Sequence, residues 1–174
     1  MSANVVFGWL GTVALVALLA WACATDLRSR RIPNAAVAAI ALTGLAVSLL
    51  APSPSLAILH AIGGMATGLV VWLPFYALRM LGAGDVKLFA AAAAWLGPHG
   101  ALEGALLAAL AGGVFALGFM LMEGGAVVTL LRLRTAVRAP GTLREASASR
   151  GTRVPYALAM AAGVLGAAYF PGLI

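Results

Sequence analysis

Two side chains in this sequence, Asp26 and Asp85, have the chemistry to hydrolyse a peptide bond together. They are the only aspartates among five acidic residues. Two carboxyl groups held close together do not both ionise readily, so one keeps a proton while the other can remove a proton from water. The ionised carboxylate acts as the base, and the protonated one polarises the scissile carbonyl. Such a pair predicts an aspartic peptidase that needs no metal and no cofactor.

Each aspartate also has a simpler structural interpretation. Asp85 follows Gly82-Ala83-Gly84 at the predicted start of a helix, where the helix dipole favours a negative charge. Asp26 follows a long apolar run and is close to arginines with which it could form a surface ion pair. Either explanation suffices for one aspartate alone. The two aspartates together, with the glycine-rich break before Asp85, favour a functional pair.

The composition predicts that membrane helices position these aspartates. The chain has 174 residues, of which 63% are hydrophobic and 9% charged, and soluble domains carry roughly 25% charged residues. Since a bilayer crossing takes about 20 residues, the chain is long enough for around six crossings. We therefore expect a single membrane-embedded domain over residues 1–174. The net charge of +6 comes from basic residues that flank apolar runs, so we expect a lipid bilayer and no nucleic acid as partner.

The apolar runs predict an all-α protein, a bundle of six transmembrane helices with a short fourth helix after the Gly-x-Gly-Asp break. The predicted spans are Val5–Ala24, Ala35–Ala51, Leu56–Leu78, Val86–Leu96, Ala101–Met122 and Val154–Phe170. Two glycine-containing segments, Gly82 to Asp85 and Gly97 to Gly100, are predicted to separate the fourth span from its neighbours. The fourth span is only about 16 Å long, against a hydrocarbon core of about 30 Å. We expect this helix to be buried among the others and to house something polar.

The basic residues predict the orientation of the six spans. All eleven lie in the first, third and fifth connections or at their edges: Arg28, Arg30, Arg31, Arg79, Lys87, Arg132, Arg134, Arg138, Arg144, Arg150 and Arg153. Cytoplasmic loops carry the excess of Lys and Arg. This asymmetry predicts a cytoplasmic position for both aspartates and places both termini outside the cytoplasm. The polar stretch from Arg132 to Arg153 is predicted to be a loop.

Three separated segments of the sequence resemble the type IV prepilin peptidases, a family of Gly-x-Gly-Asp aspartic peptidases. Asp26 to Asn34 is similar to their segment that runs from an aspartate to Ile-Pro-Asn. Gly82 to Lys87 resembles their Gly-x-Gly-Asp motif with its following lysine. Arg153-Val-Pro-Tyr156 is similar to the start of their last helix. The resemblance implies Asp26 and Asp85 as the catalytic pair, supported by or contacting substrate through Pro33, Asn34, Gly82, Gly84 and Lys87.

By this resemblance, the protein cleaves leader peptides from prepilins or pseudopilins in a bacterial inner membrane. The long members of the family also methylate the new amino terminus and have an additional segment with paired cysteines. This sequence contains one cysteine, Cys23, and resembles the small form associated with Flp or tight-adherence pili, so we expect no methylation. Two alternatives remain open: a proton-coupled transporter or channel that uses the aspartates as proton carriers, and a non-catalytic scaffold of a pilus or secretion apparatus.

Overall fold

The computed structural model describes residues 3–122, 156–170 and 172, and these residues form six helices and no strand. The helices are α1 Ala3–Ser29, α2 Asn34–Leu49, α3 Pro54–Ala77, α4 Ala83–Ala93, α5 Gly97–Met122 and α6 Tyr156–Tyr169. The all-α prediction is therefore confirmed over the described part of the chain. The predicted loop from Arg132 to Arg153, and Pro155 of the third motif, lie outside it.

Three of the helices are long and apolar enough to cross a membrane. The qualifying segments are Leu10–Ser29, Pro54–Ala77 and Gly97–Gly118. Helices α2 and α6 are apolar but shorter, and α4 has 11 residues. Long apolar helices are the signature of an integral membrane protein. Six crossings remain a prediction, because length and composition identify three.

The outer surface of the fold carries large aliphatic side chains that a soluble protein would bury. Leu59, Val70 and Leu110 are 67%, 65% and 63% exposed, and they lie on α3 and α5. Contiguous apolar surface of this kind marks contact with lipid or with another protein. Because no water is available inside a bilayer, helices satisfy their own backbone hydrogen bonds there. The exposed apolar side chains on these two helices therefore agree with a lipid-facing surface.

Helix α4 lies at the centre of the fold. It packs against α2, α3, α5 and α6. Val86 and every residue from Leu88 to Ala94 are buried, and Phe89 has no exposed surface. The expectation that the short fourth helix is buried among its neighbours is thus confirmed. A helix so enclosed need not span the hydrocarbon core by itself.

Small residues let the neighbouring helices approach α4 and one another closely. On α3, Gly64 lies against the backbone of Ala93, and a Cβ added at Gly68 would be 3.0 Å from the Ala93 Cβ. Helices α5 and α6 meet in the same way, since a Cβ on Gly104 would lie 3.4 Å from the Gly163 carbonyl oxygen. Close backbone approach of this type supports helix association in membranes.

The break before α4 differs from the prediction by about one turn. Residues 78–82 are non-helical, and α4 begins at Ala83, so Gly84 and Asp85 belong to its first turn. The physical reason is that Asp85 stabilises this turn: its carboxylate accepts a hydrogen bond from the Gly82 N–H at 3.2 Å. A side chain that reaches back to the residue before the helix satisfies one of the amide groups left unpaired at a helix start.

The separation of α4 from α5 also differs from the prediction. Gly97 to Gly100, predicted as the separator, form the first turn of α5. The chain instead turns at residues 94–96, where the N–H groups of Trp95 and Leu96 bond to carbonyls three residues earlier, at 3.1 Å. Gly97 then takes a φ of +72°, a conformation that side chains other than glycine adopt rarely. Pro98 fits the first turn of a helix because its missing N–H would have no partner there.

Candidate active site

Asp26 lies in the last turn of α1, where two elements act on its carboxylate. The backbone N–H of Ala157, in the first turn of α6, donates a hydrogen bond to it. Arg30 follows one turn later and interacts with it electrostatically. The α1 helix ends here: the Arg30 N–H bonds to the Asp26 carbonyl at 2.7 Å, and Arg30 adopts a positive φ of 51°. Half-buried Asp26 thus has one backbone donor and one nearby cation to stabilise its negative charge.

Asp85 lies in the first turn of α4 and is also half-buried. Gly82 precedes this helix as its N-cap and donates its N–H to the Asp85 carboxylate. Glycine has no side chain, so the return hydrogen bond of a complete capping box is missing. Among the described residues, Gly82 is thus the single backbone donor to this carboxyl group.

The two carboxyl groups are close enough for the charge of one to act on the other. Burial raises the pKa of Asp85 to about 6, and the charge of Asp26 contributes to this increase. The hydrogen bond from Gly82 opposes it by stabilising the ionised form. The negative charge of Asp26 thus disfavours ionisation of Asp85, as expected of two acidic groups that interact.

The first turn of α6 connects to the aspartate end of α1 through Ala157. This residue has no exposed surface, and its carbonyl accepts a hydrogen bond from the Cys23 thiol at 3.5 Å. Cys23 precedes Asp26 by three residues, so both side chains lie on the same face of α1. Ala157 therefore bonds α1 through both of its backbone polar groups. Cys23 is buried.

The glycines of the motif lie against specific atoms of the site. A Cβ added at Gly82 would be 3.0 Å from the Asp85 Oδ2. A Cβ added at Gly84 would be 3.4 Å from the Cβ of Ile32, which belongs to the connection between α1 and α2. The first glycine thus leaves room for the carboxylate. The second allows the Ile32 side chain to pack beside the first turn of α4.

A family model matches this region of the chain. The model describes the type IV leader peptidase family, and the match covers residues 13–117, which include both aspartates and the glycine motif. The chain belongs to the type IV leader peptidase family. The resemblance inferred from the three sequence segments is therefore confirmed at the level of the family.

This chain is similar to two curated proteins of Aeromonas salmonicida, one of them from strain A449. Both are named prepilin leader peptidase/N-methyltransferase. Each is 34% identical over 126 residues, which cover 67% of this chain and 42% of the relative. The matched region thus spans less than half the length of the curated relatives. No solved structure gives a significant match.

The structure also describes the other predicted site residues. Pro33 caps the start of α2 with its backbone: its carbonyl accepts the N–H groups of Ala36 and Val37 at 3.0 and 3.3 Å. Asn34 is the exposed first residue of α2. Lys87 is exposed and forms no ion pair within the described ranges. The structure therefore gives Pro33 a local structural role, and a substrate contact of Asn34 or Lys87 stays a prediction.

A cavity of about 1010 Å³ lies away from the aspartates, beside the first half of α1 and the start of α5. Its lining includes Gly11, which precedes Asp26 by 15 residues and thus lies about 22 Å away along the helix. Glu103 on its wall is 7% exposed and accepts the Gly172 N–H with both oxygens, at 3.2 and 3.3 Å. His99 Nδ1 lies 3.4 Å from Glu103. This cavity is remote from the proposed chemistry, and its acidic group is already paired.

Sequence reasoning from the residues alone missed Ala157 and Tyr156 as neighbours of the aspartates. Ala157 acts through its backbone, which leaves no signature in the sequence. Tyr156 is close enough to Asp85 for an electrostatic interaction, and only the family resemblance drew attention to its segment. Among the described residues, no group of three or more His, Cys, Asp or Glu side chains is placed to hold a metal ion.

Proposed function

We propose that this protein is a membrane aspartic endopeptidase that removes the leader peptide from prepilin-like substrates at the cytoplasmic membrane face. The catalytic pair is Asp26 and Asp85. The observation that carries the proposal is the pair itself: in a chain of the type IV leader peptidase family, burial and the charge of Asp26 together raise the pKa of Asp85 to about 6.

The arrangement of donors distinguishes the roles of the two carboxyl groups. Asp26, with the Ala157 N–H and Arg30 to stabilise its charge, is the base that removes a proton from the attacking water. Asp85 holds its proton toward the scissile carbonyl oxygen and transfers it as the tetrahedral intermediate forms. When the intermediate collapses, Asp26 gives its proton to the leaving amine, and the hydroxyl proton returns to Asp85. The cycle ends with the pair in its starting state.

The orientation in the membrane follows from charge. Arg28, Arg30 and Arg31 follow the aspartate end of α1, and Arg79 lies in the break that leads to Asp85. Since basic residues near helix ends favour the cytoplasmic side, the pair faces the cytoplasm of a bacterial inner membrane and both termini lie outside. A reporter fused at Pro54, at the start of α3, should then report a non-cytoplasmic position. A cytoplasmic signal there contradicts this orientation.

Substrate recognition in this proposal depends on apolar packing. The loops near the pair are basic and repel a basic leader, so the hydrophobic segment of the prepilin must supply the main attraction. The exposed apolar side chains of the outer surface provide area for such packing. A small residue, glycine, is expected before the cleaved bond because the peptide backbone has to approach both carboxyl groups. A prepilin with valine at that position should be cleaved more slowly.

The proposal is tested by incubating the purified protein in detergent with a prepilin and sequencing the amino terminus of the product. We expect cleavage at one bond after the leader by the wild-type protein, and none by Asp85→Asn. A transporter or scaffold would leave the prepilin intact in both samples. The relatives' name combines two activities, and the expected lack of methylation stays a prediction that a labelled methyl donor in the same reaction would check.

A further inference from the structure

A side chain from the connection between α1 and α2 lies against the first turn of α4. Helices α1 and α4, which carry the two aspartates, have little direct contact with each other in the described part of the chain. A Cβ added at Gly84 would be 3.4 Å from the Ile32 Cβ, 3.5 Å from its Cδ1 and 3.6 Å from its Cγ1. Three atoms of Ile32 thus cover the residue that precedes Asp85.

The connection that carries Ile32 is short and is attached to the aspartate end of α1. The Arg30 N–H bonds to the Asp26 carbonyl at 2.7 Å, and Arg30 ends the helix with its positive φ of 51°. The Ser29 hydroxyl donates a hydrogen bond to the Arg31 carbonyl at 3.4 Å. Ile32 follows directly, so its position is tied to that of the last turn of α1.

On the other side of the contact, Gly84 belongs to a turn that includes Asp85 itself. The Gly82 N–H bonds to the Asp85 carboxylate at 3.2 Å and stabilises this turn. Ile32 is half-buried and packs against the hydrophobic core of the bundle. Because packed side chains resist compression and separation, a movement of the α1 end relative to α4 has to disturb this contact.

We propose that Ile32 is a positioning residue for the catalytic pair, because its contact with Gly84 sets the distance between Asp26 and Asp85. This inference rests on the proposed peptidase function. Ile32 touches no reacting atom and acts through the two backbone segments that it holds together. A misplacement of catalytic groups by about 1 Å can lower a rate about a hundredfold, so the packing of one aliphatic side chain is sufficient to affect cleavage.

The test is the cleavage kinetics of Ile32→Ala, with Leu18→Ala as the matched control. Leu18 lies about two turns before Asp26 on α1, is half-buried and packs against the same core, and the exchange removes the same number of carbon atoms. Both variants should lower the melting temperature similarly. Ile32→Ala should also lower kcat by about tenfold to a hundredfold, whereas Leu18→Ala should stay within about threefold of wild type. Wild-type kcat for Ile32→Ala, or an equal loss in Leu18→Ala, overturns the inference.

The pH profile distinguishes positioning from a general loss of stability. Ile32 is half-buried, so water can enter the space that Ile32→Ala leaves, and the two segments can separate. Burial and the charge of Asp26 both raise the pKa of Asp85, and both causes are then reduced. The alkaline limb should therefore move to lower pH by about half a unit or more. The other titratable groups that interact with the pair, Arg30, Cys23 and Tyr156, are retained in the variant.

The limb should not move in Leu18→Ala, and an unmoved limb in Ile32→Ala overturns the inference. If Ile32→Ala is poorly folded, Ile32→Val keeps the Cβ and the γ-carbons and should retain kcat within about threefold, with a smaller movement of the limb in the same direction. A limb that stays in place in a folded Ile32→Val then overturns the inference. Cleavage by Asp85→Asn would instead show that the proposed function has failed, which is a different outcome.

Discussion

Carboxyl groups occur at both ends of the helical fold, in different surroundings. Glu103, near the cavity, is almost fully buried, and both of its oxygens accept the Gly172 N–H, with His99 beside it. Asp26 and Asp85 are half-buried, each accepts one backbone hydrogen bond from the described residues, and the charge of Asp26 acts on Asp85. Burial alone therefore does not distinguish them, because Glu103, the most buried acid among the described residues, has both of its oxygens hydrogen-bonded.

The groups around a carboxyl, more than its burial, thus indicate whether it is reactive. A buried polar group with its hydrogen bonds satisfied adds to stability, as Glu103 does by attaching the turn after α6 to the start of α5. A carboxyl group beside a like charge keeps a proton that it can transfer. Functional sites are often where such pairs occur. Four experiments test this difference between the two ends.

The largest effect is expected from exchanging each acid for its amide. Asp26→Asn and Asp85→Asn should each reduce cleavage by about a thousandfold or more, and the double variant should be no worse than either single one, since the pair acts as a unit. Glu103→Gln, the same exchange at the other end, should retain activity within about threefold. Prepilin cleavage rates of the purified proteins measure this. Inactive Glu103→Gln with active Asp85→Asn would reverse the assignment of the two ends.

The pH dependence of cleavage is expected to be bell-shaped. Asp85 must be protonated, and burial together with Asp26 raises its pKa to about 6, so activity should fall about tenfold per pH unit on the alkaline side of that value. Toward acid, protonation of Asp26 removes the base. The measurement is kcat/KM from pH 4 to 9 with one prepilin. Activity that keeps rising up to pH 9 contradicts a proton held by Asp85.

Gly82 and Gly100 are a matched pair, because a Cβ added to either would lie at the same distance from its nearest neighbouring atom. A Cβ at Gly82 would lie 3.0 Å from the Asp85 Oδ2, and a Cβ at Gly100 would lie 3.0 Å from the Leu96 Cβ. Gly82→Ala should therefore lower kcat several-fold by displacing the carboxylate, with little change in melting temperature. Gly100→Ala should preserve kcat. Equal activity of both variants would show that the Asp85 oxygen tolerates displacement.

Thermal stability should change in opposite directions at the two ends. The pKa of Asp85 is higher in the folded protein than its ordinary value of 3.8, so its contribution to stability is present below about pH 4 and is lost as the pH rises through about 6. Asp85→Asn should thus melt at a higher temperature than wild type at pH 8 and at a similar temperature at pH 4.

Glu103→Gln has the opposite expectation. It weakens the hydrogen bonds to Gly172 and should lower the melting temperature by a few degrees, since an intramolecular hydrogen bond contributes about 0.5–1.5 kcal/mol. Melting curves in detergent at both pH values compare the two variants. Destabilisation of Asp85→Asn at pH 8 would show that its carboxylate is a stabilising group like Glu103.

Much of the helical architecture could be predicted from the sequence. The apolar runs, with the glycine and proline residues between them, located all six described helices to within a few residues. This is because hydropathy and the backbone preferences of glycine and proline act locally. The boundaries around α4 were less accurate: Asp85 and Pro98 lie inside helices, since hydrogen bonds at a helix start decide where it begins. The family was also recognisable, because its motifs keep their residue types and spacing.

The sequence by itself determined that two aspartates, a glycine motif and apolar helices belong together in a membrane peptidase family. Only the tertiary structure decided which groups surround the pair. Ala157 is 131 residues from Asp26, and Gly172 is 69 residues from Glu103, yet each donates its N–H to that acid. Every residue except proline carries the same backbone N–H group. Which acid that group bonds to is therefore set by how the helices pack and not by any pattern along the chain.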